Sequence, residues 1–208
     1  MARSKHRGTV ADQGERRATR GEATTEALRG AVRGMLEELG YQALTIEGVA
    51  ARSGVAKTSI YRRWPSKAEM VFELMLHSSD ELPALDDRGS LTGDMEALSG
   101  RVVALVAGPL GRRIFPGLIC DIASDHALTQ RFRATVVADG RNEIAQVLER
   151  SVRRGELTDA TAAADLQAVL IGTVLMLVLF QPDMDEAALR DKIADLAMAK
   201  VNQPRIPP

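Results

Sequence analysis

The spacing of apolar side chains predicts a chain of helices. Within residues 24–39 apolar positions recur every three or four residues, which is the period of an amphipathic helix. These positions are Ala27, Leu28, Ala31, Val32, Met35, Leu36 and Leu39. Thr24 or Thr25 can cap the start of this helix, and Gly40 can end it. Because no segment shows the strict alternation typical of strands, we predict an all-α fold.

Three shorter helices are predicted directly after the first. One covers about residues 45–52 and the next about residues 56–64, with a Ser-Gly break between them. A proline ends the second of these helices, because proline has no backbone N–H to donate. Ser66 and Glu69 then have the spacing of a capping box, which predicts a further helix that extends to about residue 79.

The rest of the chain contains five longer helical patterns after a linker-like break at residue 81. They cover about residues 92–107, 110–123, 125–153, 159–180 and 184–200, which makes about nine helices in total. We therefore expect three segments along the chain. These are a disordered arm over residues 1–22, a domain of short helices over residues 23–80, and a helical body over residues 81–208.

The most apolar stretch, residues 168–180, is too short to span a bilayer. We interpret it as a helix that is either fully buried, or half core and half dimer contact. The small residues Gly172 and Thr173 would let another helix approach closely. No membrane partner is expected.

Charge is divided unevenly along the chain. Residues 1–67 carry 13 of the 27 Lys and Arg residues against 7 of the 28 Asp and Glu, which leaves 14 against 21 for residues 68–208. A basic first third joined to an acidic remainder indicates that only the first third meets a polyanion. Residues 1–22 are polar, hold six basic residues and lack apolar periodicity, so they are either a simple tail or an arm that reaches a minor groove.

Residues 45–64 meet the physical requirements of a helix-turn-helix. Ala50 is small where two helices would cross, and Gly54 can adopt the left-handed conformation of a tight turn. Val49, Val55 and Ile60 would fill the wedge between the helices. The second helix of such a unit enters the major groove of DNA, where base edges can be distinguished. We therefore expect residues 23–80 to be a DNA-binding domain built on a three-helix helix-turn-helix.

The second helix of this unit would have one apolar and one polar face. Ile60 and Trp64, four residues apart, are expected to face the core, and Arg63 beside them is either solvated or near DNA. The opposite face has no acidic residue and is rich in hydrogen-bond donors. We expect contacts with base edges from Ala56, Lys57, Thr58 and Ser59. We expect contacts with phosphates from Thr45, Tyr61, Arg62 and Lys67.

These residues also carry a resemblance to a known family. About residues 22–80 resemble the DNA-binding domain of the TetR family of transcriptional regulators. The features that carry it, in order and at fixed spacing, are Gly40, Thr45, the apolar face of residues 46–50, Ser53-Gly54-Val55, Ile60-Tyr61, Trp64 and Ser66-Lys67. The family more often has phenylalanine at the position of Trp64, which keeps an aromatic plug.

The resemblance implies a homodimer on a palindromic operator, usually a repressor that a small ligand releases. It implies that Tyr61 and Lys67 contact the DNA backbone, and that the last two helices of each subunit form the dimer interface. The candidate interface residues are Leu170, Thr173, Leu177, Leu189, Ile193 and Leu196. A pocket for an apolar or amphipathic ligand would lie in the helices that follow the helix-turn-helix, with candidate lining residues Phe72, Met75, Phe115, Ile119, Phe132, Met176 and Phe180.

Other classes of function find little support in the sequence. Cys120 is the only cysteine, and it does not combine with the three histidines at metal-ligand spacing, so no metal, no cofactor and a reduced cytoplasmic location are expected. The apolar neighbours of Cys120 favour a buried side chain over a redox sensor. Two alternatives stay open, a DNA-binding regulator without a ligand and a small helical enzyme or carrier, although no catalytic constellation is visible.

Overall fold

The computed structural model describes residues 8–77, 82, 85–160, 162–181 and 183–202, with side chains from residue 21 onward except for residues 76 and 77. Among these residues there is no β-strand, and the predicted all-α fold is confirmed. The chain divides into two compact units, Met1–Ser78 and Ser79–Pro208.

The N-terminal unit consists of four helices and a π-helical turn. They are α1 (Gly8–Ala43), α2 (Ile46–Ser53), α3 (Lys57–Arg63), α4 (Lys67–Val71) and the turn Phe72–His77. Gly40 has φ 75° and ψ 175°, so it interrupts α1 and turns the chain. Helices α2 and α3 lie within one residue of the predicted boundaries, because their caps are local features of the sequence.

Helix α1 begins earlier than its apolar pattern predicts. It starts at Gly8, so residues 8–22 are helical rather than the unstructured arm that we predicted, and that prediction is wrong for them. Residues 1–7 lie outside the described residues. Seven of these 15 residues are Ala, Arg or Glu, which are good helix formers, against three glycines, and extending a helix that already exists costs little per residue. Because such an extension has no apolar face, the spacing of apolar residues does not predict it.

The C-terminal unit contains six helices and a second π-helical turn. They are α5 (Leu91–Ala107), α6 (Pro109–Ser124), α7 (His126–Phe132), the turn Arg133–Val137, α8 (Ala138–Arg153), α9 (Ala163–Phe180) and α10 (Glu186–Val201). If residues 126–153 are counted as one continuous helix, and residues 67–77 as another, the described residues form nine helices, the number expected.

Helix α5 is the centre of the C-terminal unit. It packs against α6, α8, α9 and α10. Its buried side chains, which form one core with those of α8, α9 and α10, include Met95, Leu98, Val102 and Val106. Helix α9 is long and apolar enough to cross a membrane. However, its Leu166, Leu170 and Val174 are fully buried in this core, which identifies α9 as a core helix with one outward face.

A buried charge clamp joins the start of α5 to the end of α8. The side chain of Asp94 is completely buried and accepts a hydrogen bond from Arg154 Nη2 at 2.6 Å. Arg154 Nη2 also donates to Ser151 Oγ at 3.0 Å, and Arg154 Nε donates to Glu156 Oε2 at 2.7 Å. The Glu156 carboxylate in turn accepts from the backbone N–H of Leu91, the first residue of α5. These contacts raise the pKa of Arg154 and lower that of Glu156, so both groups stay charged.

Cys120 is exposed, contrary to the expected burial. The residues of α6 that are buried include Ile114, Gly117 and Leu118. Cys120 lies two residues beyond Leu118, and two residues of an α-helix rotate a side chain to nearly the opposite side. Apolar neighbours in sequence therefore did not indicate the buried face here.

Candidate nucleic-acid interface

The turn between α2 and α3 is held by hydrogen bonds at both ends of α2. Thr45 caps α2, since its Oγ1 accepts from the backbone N–H of Gly48 at 3.1 Å. Gly54 ends α2 in the left-handed conformation, with φ 71°, and its N–H donates to the Ala50 carbonyl. The N–H of Val55 then donates to Ser53 Oγ. These local bonds set the angle at which α3 leaves the turn.

Helix α2 is itself fixed to α1 by an arginine. Arg52 donates two parallel hydrogen bonds to the two carboxylate oxygens of Glu38, at 2.7 and 2.6 Å. This bidentate contact lowers the pKa of Glu38 and keeps the pair charged. The guanidinium lies directly over Gly34, where a Cβ would stand 2.7 Å from Arg52 Nη2. The close approach therefore requires glycine at position 34, or a displaced arginine.

The inner face of α3 is anchored as predicted. Ile60 is completely buried and Trp64 is 2% exposed. Trp64 Nε1–H donates to Glu73 Oε2 at 2.8 Å, and the other carboxylate oxygen of Glu73 accepts from Arg63 Nη2 at 2.9 Å. Arg63 Nη1 also donates to Thr25 Oγ1 at 2.7 Å. Arg63 is thus a link between α1, α3 and the π-helical turn, a role that the sequence did not reveal.

The outer face of α3 is polar and open. The residues that we expected at base edges, Ala56, Lys57, Thr58 and Ser59, are all exposed, as are Thr45, Tyr61 and Arg62 from the expected phosphate contacts. Seven of the eight predicted DNA-binding residues are therefore accessible on the outside of the helix-turn-helix. Their contacts with DNA stay a prediction.

Lys67, the eighth residue, is half-buried against the end of α1. Its Nζ donates to the carbonyl of Tyr41 at 3.3 Å and lies 4.5 Å from the centre of the Tyr41 ring. It also lies 3.5 Å from the carbonyl oxygen of Gln42. An ammonium group has three donor hydrogens, so these contacts orient Lys67 and still leave it able to bind a phosphate.

One acidic residue at this surface was missed by the sequence reasoning. Glu47, in the first turn of α2, forms an ion pair with Lys57 at the start of α3. The hydrogen bond between the two side chains lowers the pKa of Glu47 and raises that of Lys57, because it favours the charged form of each. Helix α3 has no acidic residue, as noted, but α2 supplies one. The two residues are ten positions apart, so no helical spacing relates them.

The comparisons with known proteins agree with this geometry. Residues 28–74 match the family model for "Bacterial regulatory proteins, tetR family", and residues 85–197, more than half of the chain, match the model for "Tetracyclin repressor-like, C-terminal domain". The chain belongs to the TetR family of transcriptional regulators. It is therefore a DNA-binding regulator with a helix-turn-helix.

Individual members of the TetR family match over most of their length. The chain is 31% identical to a DNA-binding transcriptional repressor TetR of Mycobacteroides abscessus, over 74% of this chain and 79% of that protein. It is 29% identical to an uncharacterised HTH-type transcriptional regulator of Mycobacterium tuberculosis, over 68% and 69%.

Solved structures of similar fold include a TetR family transcription regulator with 27% identity and a TM-score of 0.68, covering 85% of this chain and 97% of that one. The regulator FadR from Bacillus subtilis in complex with stearoyl-CoA has 15% identity and a TM-score of 0.58, covering 85% and 99%, and shares the fold.

The seven predicted pocket residues of this TetR family member have very different surroundings. Met75 and Phe132 are buried, and Phe72 and Phe115 are half-buried. Phe180, Met176 and Ile119 are 71%, 60% and 37% exposed. Side chains this exposed do not line an enclosed cavity, so these three assignments are wrong for this structure. Apolar character marked them, but the sequence does not tell a pocket wall from an uncovered surface.

Most of the predicted dimer residues are buried within the chain itself. Leu170, Leu177, Leu189 and Ile193 are buried in the core of the C-terminal unit, so they were selected from the wrong face of α9 and α10. Thr173 is half-buried and Leu196 is 38% exposed. Helix α9 is apolar all round, so its sequence carries no periodic signal that separates inner from outer positions. Its large outward apolar side chains are Met176, Leu179 and Phe180.

A polar recess lies elsewhere in the C-terminal unit. It has a volume of about 420 Å³ and is lined by Leu85, Arg101, Glu143, Gln146, Val147, Glu149, Arg150 and Arg153. None of the predicted pocket residues contributes to it. Within the recess Arg101 lies 3.6 Å from Glu143, and Arg150 Nη2 donates to the Leu85 carbonyl at 2.9 Å. Arg150 Nε, in contrast, is buried and has no hydrogen-bond partner among the described residues.

Proposed function

We propose that this chain is a homodimeric repressor that binds a palindromic operator and is released by a small apolar or amphipathic ligand. The observation that carries the proposal is the open polar face of α3, held outward by the buried anchor of Ile60 and Trp64. A helix fixed by one face and polar on the other presents donors to a major groove without losing its packing. The protein acts in the cytoplasm, and it has no catalytic role.

The residues of the polar face form two sets, one that meets base edges and one that meets phosphates. Lys57, Thr58 and Ser59 lie in the first turns of α3, with Ala56 directly before it, and these are the positions that meet base edges when a recognition helix enters the groove by its N-terminal end. Tyr61 and Arg62 follow one turn later and meet phosphates. Thr45 and Lys67 flank them. The Thr45 hydroxyl uses its lone pair as a cap, so its hydrogen is available to a phosphate oxygen.

The dimer contact is supported by the apolar outer face of α9 and its neighbour on α10. Met176, Leu179 and Phe180 are exposed on α9, and Leu196 on α10. Large side chains of this kind lose contact with water when a second copy covers them, which favours association. The small Gly172 and the half-buried Thr173 precede them on α9 and permit close helix approach.

The proposal assigns the ligand to the C-terminal unit, where Phe115 and Phe132 are the predicted lining residues that are half-buried and buried, respectively. This part of the chain matches the repressor-like C-terminal family model, and a structure of the same fold holds stearoyl-CoA. Both are support by similarity. A ligand lowers operator affinity only if it binds the DNA-incompetent conformation better, so the coupling is a shift between two populations.

The proposal is tested by selecting genomic fragments with the purified protein and measuring their binding by fluorescence anisotropy. We expect tight binding that weakens steeply with salt, and a further loss in a Lys57→Ala, Thr58→Ala double variant on the selected fragment but not on an unrelated duplex. Arg141→Ala, which removes an exposed charge from the C-terminal unit, is the matched control. Binding to no genomic fragment, or binding independent of salt, contradicts the proposal.

Ligand control is tested separately with a thermal-shift screen of metabolites, followed by operator release. A compound that both stabilises the protein and releases the DNA supports a ligand-controlled repressor. If no compound does so, the protein is a DNA-binding regulator without a small-molecule ligand. If the protein instead converts any compound with multiple turnovers, the alternative of an enzyme is supported.

A further inference from the structure

We propose that Glu47 is a specificity-determining residue, because its ion pair with Lys57 withholds that lysine from phosphates and directs it to base edges. The inference rests on the proposed DNA contacts of α3 and adds a residue from α2 that has no direct attraction to DNA. Glu47 would therefore weaken binding to unrelated DNA while it sharpens the choice of operator.

The geometry places one negative charge within a surface that is otherwise basic. Glu47 lies in the first turn of α2, two residues after the cap Thr45, and Lys57 is the first residue of α3. Their side chains are 56% and 48% exposed, so the pair stands at the surface rather than in the core. The Lys57 ammonium also lies 6.0 Å from the centre of the Tyr61 ring. Glu47 and Tyr61 thus hold the ammonium on the outer side of α3.

The Glu47–Lys57 pair contributes little to the stability of the fold. Exposed ion pairs contribute little to folding stability, because water stabilises the two separate charges almost as well as the charges stabilise each other. The attachment of α2 to the rest of the unit is made by the bidentate Arg52–Glu38 pair and by the buried Ile46 and Val49. The Glu47–Lys57 contact therefore matters mainly for what approaches the surface.

Its effect on DNA follows from charge balance. A lysine that binds a phosphate releases a counterion, which is the main source of sequence-independent affinity. Lys57 paired with Glu47 is close to neutral as a unit, and the Glu47 carboxylate repels nearby phosphates. Lys57 keeps donor hydrogens that Glu47 does not use, and a guanine edge offers two acceptors for them. The pair thus removes a non-specific contact and leaves a base contact possible.

The test compares the full-length protein with Glu47→Gln on two duplexes, one recovered by selection from a random-sequence library and one unrelated duplex of the same length. For Glu47→Gln we expect affinity for the unrelated duplex to rise about threefold or more at low salt. The plot of log affinity against log salt should steepen by about 0.9, the value for one added phosphate contact. The ratio of selected to unrelated affinity should fall.

Two controls separate the pair from a simple change of net charge. Glu37→Gln removes the same charge from an exposed site on α1 and should leave the slope and the ratio unchanged. In a Lys57→Ala background, Glu47→Gln should lose most of its effect on the slope, because the two residues act as a unit.

The outcomes distinguish this inference from the function on which it rests. If selection recovers no duplex that the wild-type protein binds, the proposed function fails and Glu47 has no such role. If the wild type binds and Glu47→Gln changes neither slope nor ratio, or changes them no more than Glu37→Gln does, the inference on Glu47 is overturned while the function stands.

Discussion

Helices α3 and α9 each bury one face and expose the other, and they differ in the chemistry of the exposed face. Each buries one face in its own unit, with Ile60 on α3 and Leu170 on α9 completely excluded from water. Outside, α3 presents Lys57, Tyr61 and Arg62, whereas α9 presents Met176, Leu179 and Phe180. The inner faces of both helices are apolar, whereas the outer face of α3 is polar and that of α9 is apolar.

This difference shows that the outer face of a helix, rather than its buried face, indicates which partner it binds. A buried apolar face reports only that a helix is packed, because nearly every helix of a globular protein has one. A cationic, donor-rich outer face gains free energy against phosphates, and an apolar outer face gains it by leaving water. In the function proposed above, the uncovered faces therefore favour DNA as the partner for α3 and a second copy of the chain as the partner for α9.

The largest effect is expected from removing the inner anchor of α3. Trp64→Ala should lower the free energy of unfolding by about 3–5 kcal/mol, because it leaves a cavity and takes a hydrogen-bond donor from Glu73. Urea denaturation followed by circular dichroism measures it. Tyr61→Ala, on the outer face of the same helix, should change stability by no more than about 0.5 kcal/mol. Equal losses in the two variants would show that inner and outer faces do not differ as described.

The next effect tests the outer face of α9. Phe180→Asp should weaken self-association about 100-fold, because it removes a large apolar contact and would bury a charge. Light scattering should then report a mass close to the 22.5 kDa of one chain rather than twice that value. Because the Phe180 side chain is 71% exposed, the fold should be unaffected. Ala123→Asp on α6 is the control, and a Phe180→Asp protein that stays dimeric would contradict the assignment.

A smaller effect is expected at the outer face of α3. Arg62→Ala should reduce affinity about tenfold on every sequence and should make the salt slope shallower by about 0.9, as expected for one lost phosphate contact. Anisotropy titrations at several salt concentrations on selected and unrelated duplexes measure both quantities. A loss confined to the selected duplex would instead assign Arg62 to a base edge.

The smallest effect concerns the cap that supports the turn. Thr45→Ala should cost about 1 kcal/mol of stability, because the N–H of Gly48 loses its acceptor. Thr45→Ser keeps the hydroxyl and should restore most of it. Thermal unfolding of the three proteins gives the comparison, and an unchanged Thr45→Ala protein would show that the cap contributes nothing to the placement of α2.

The elements that could be predicted from the sequence are those that depend on neighbours along the chain. The cap at Thr45, the left-handed turn at Gly54 and the stop at Pro65 act within a few residues, so the helix-turn-helix was predicted almost to the residue. The inward direction of Ile60 and Trp64 followed from helical spacing alone. Local rules are sufficient wherever a helix has a clear apolar stripe.

Contacts between residues far apart in sequence could be recognised only in the folded chain. The contact of Glu47 with Lys57 and that of Trp64 with Glu73 join separate helices, and no spacing rule relates them. Helix α9 is apolar all round, so only its packing against α5, α8 and α10 separates the buried Leu170 from the exposed Phe180. The physical reason is the same in each case, because a periodic pattern specifies a helix but only its neighbours determine which face they cover.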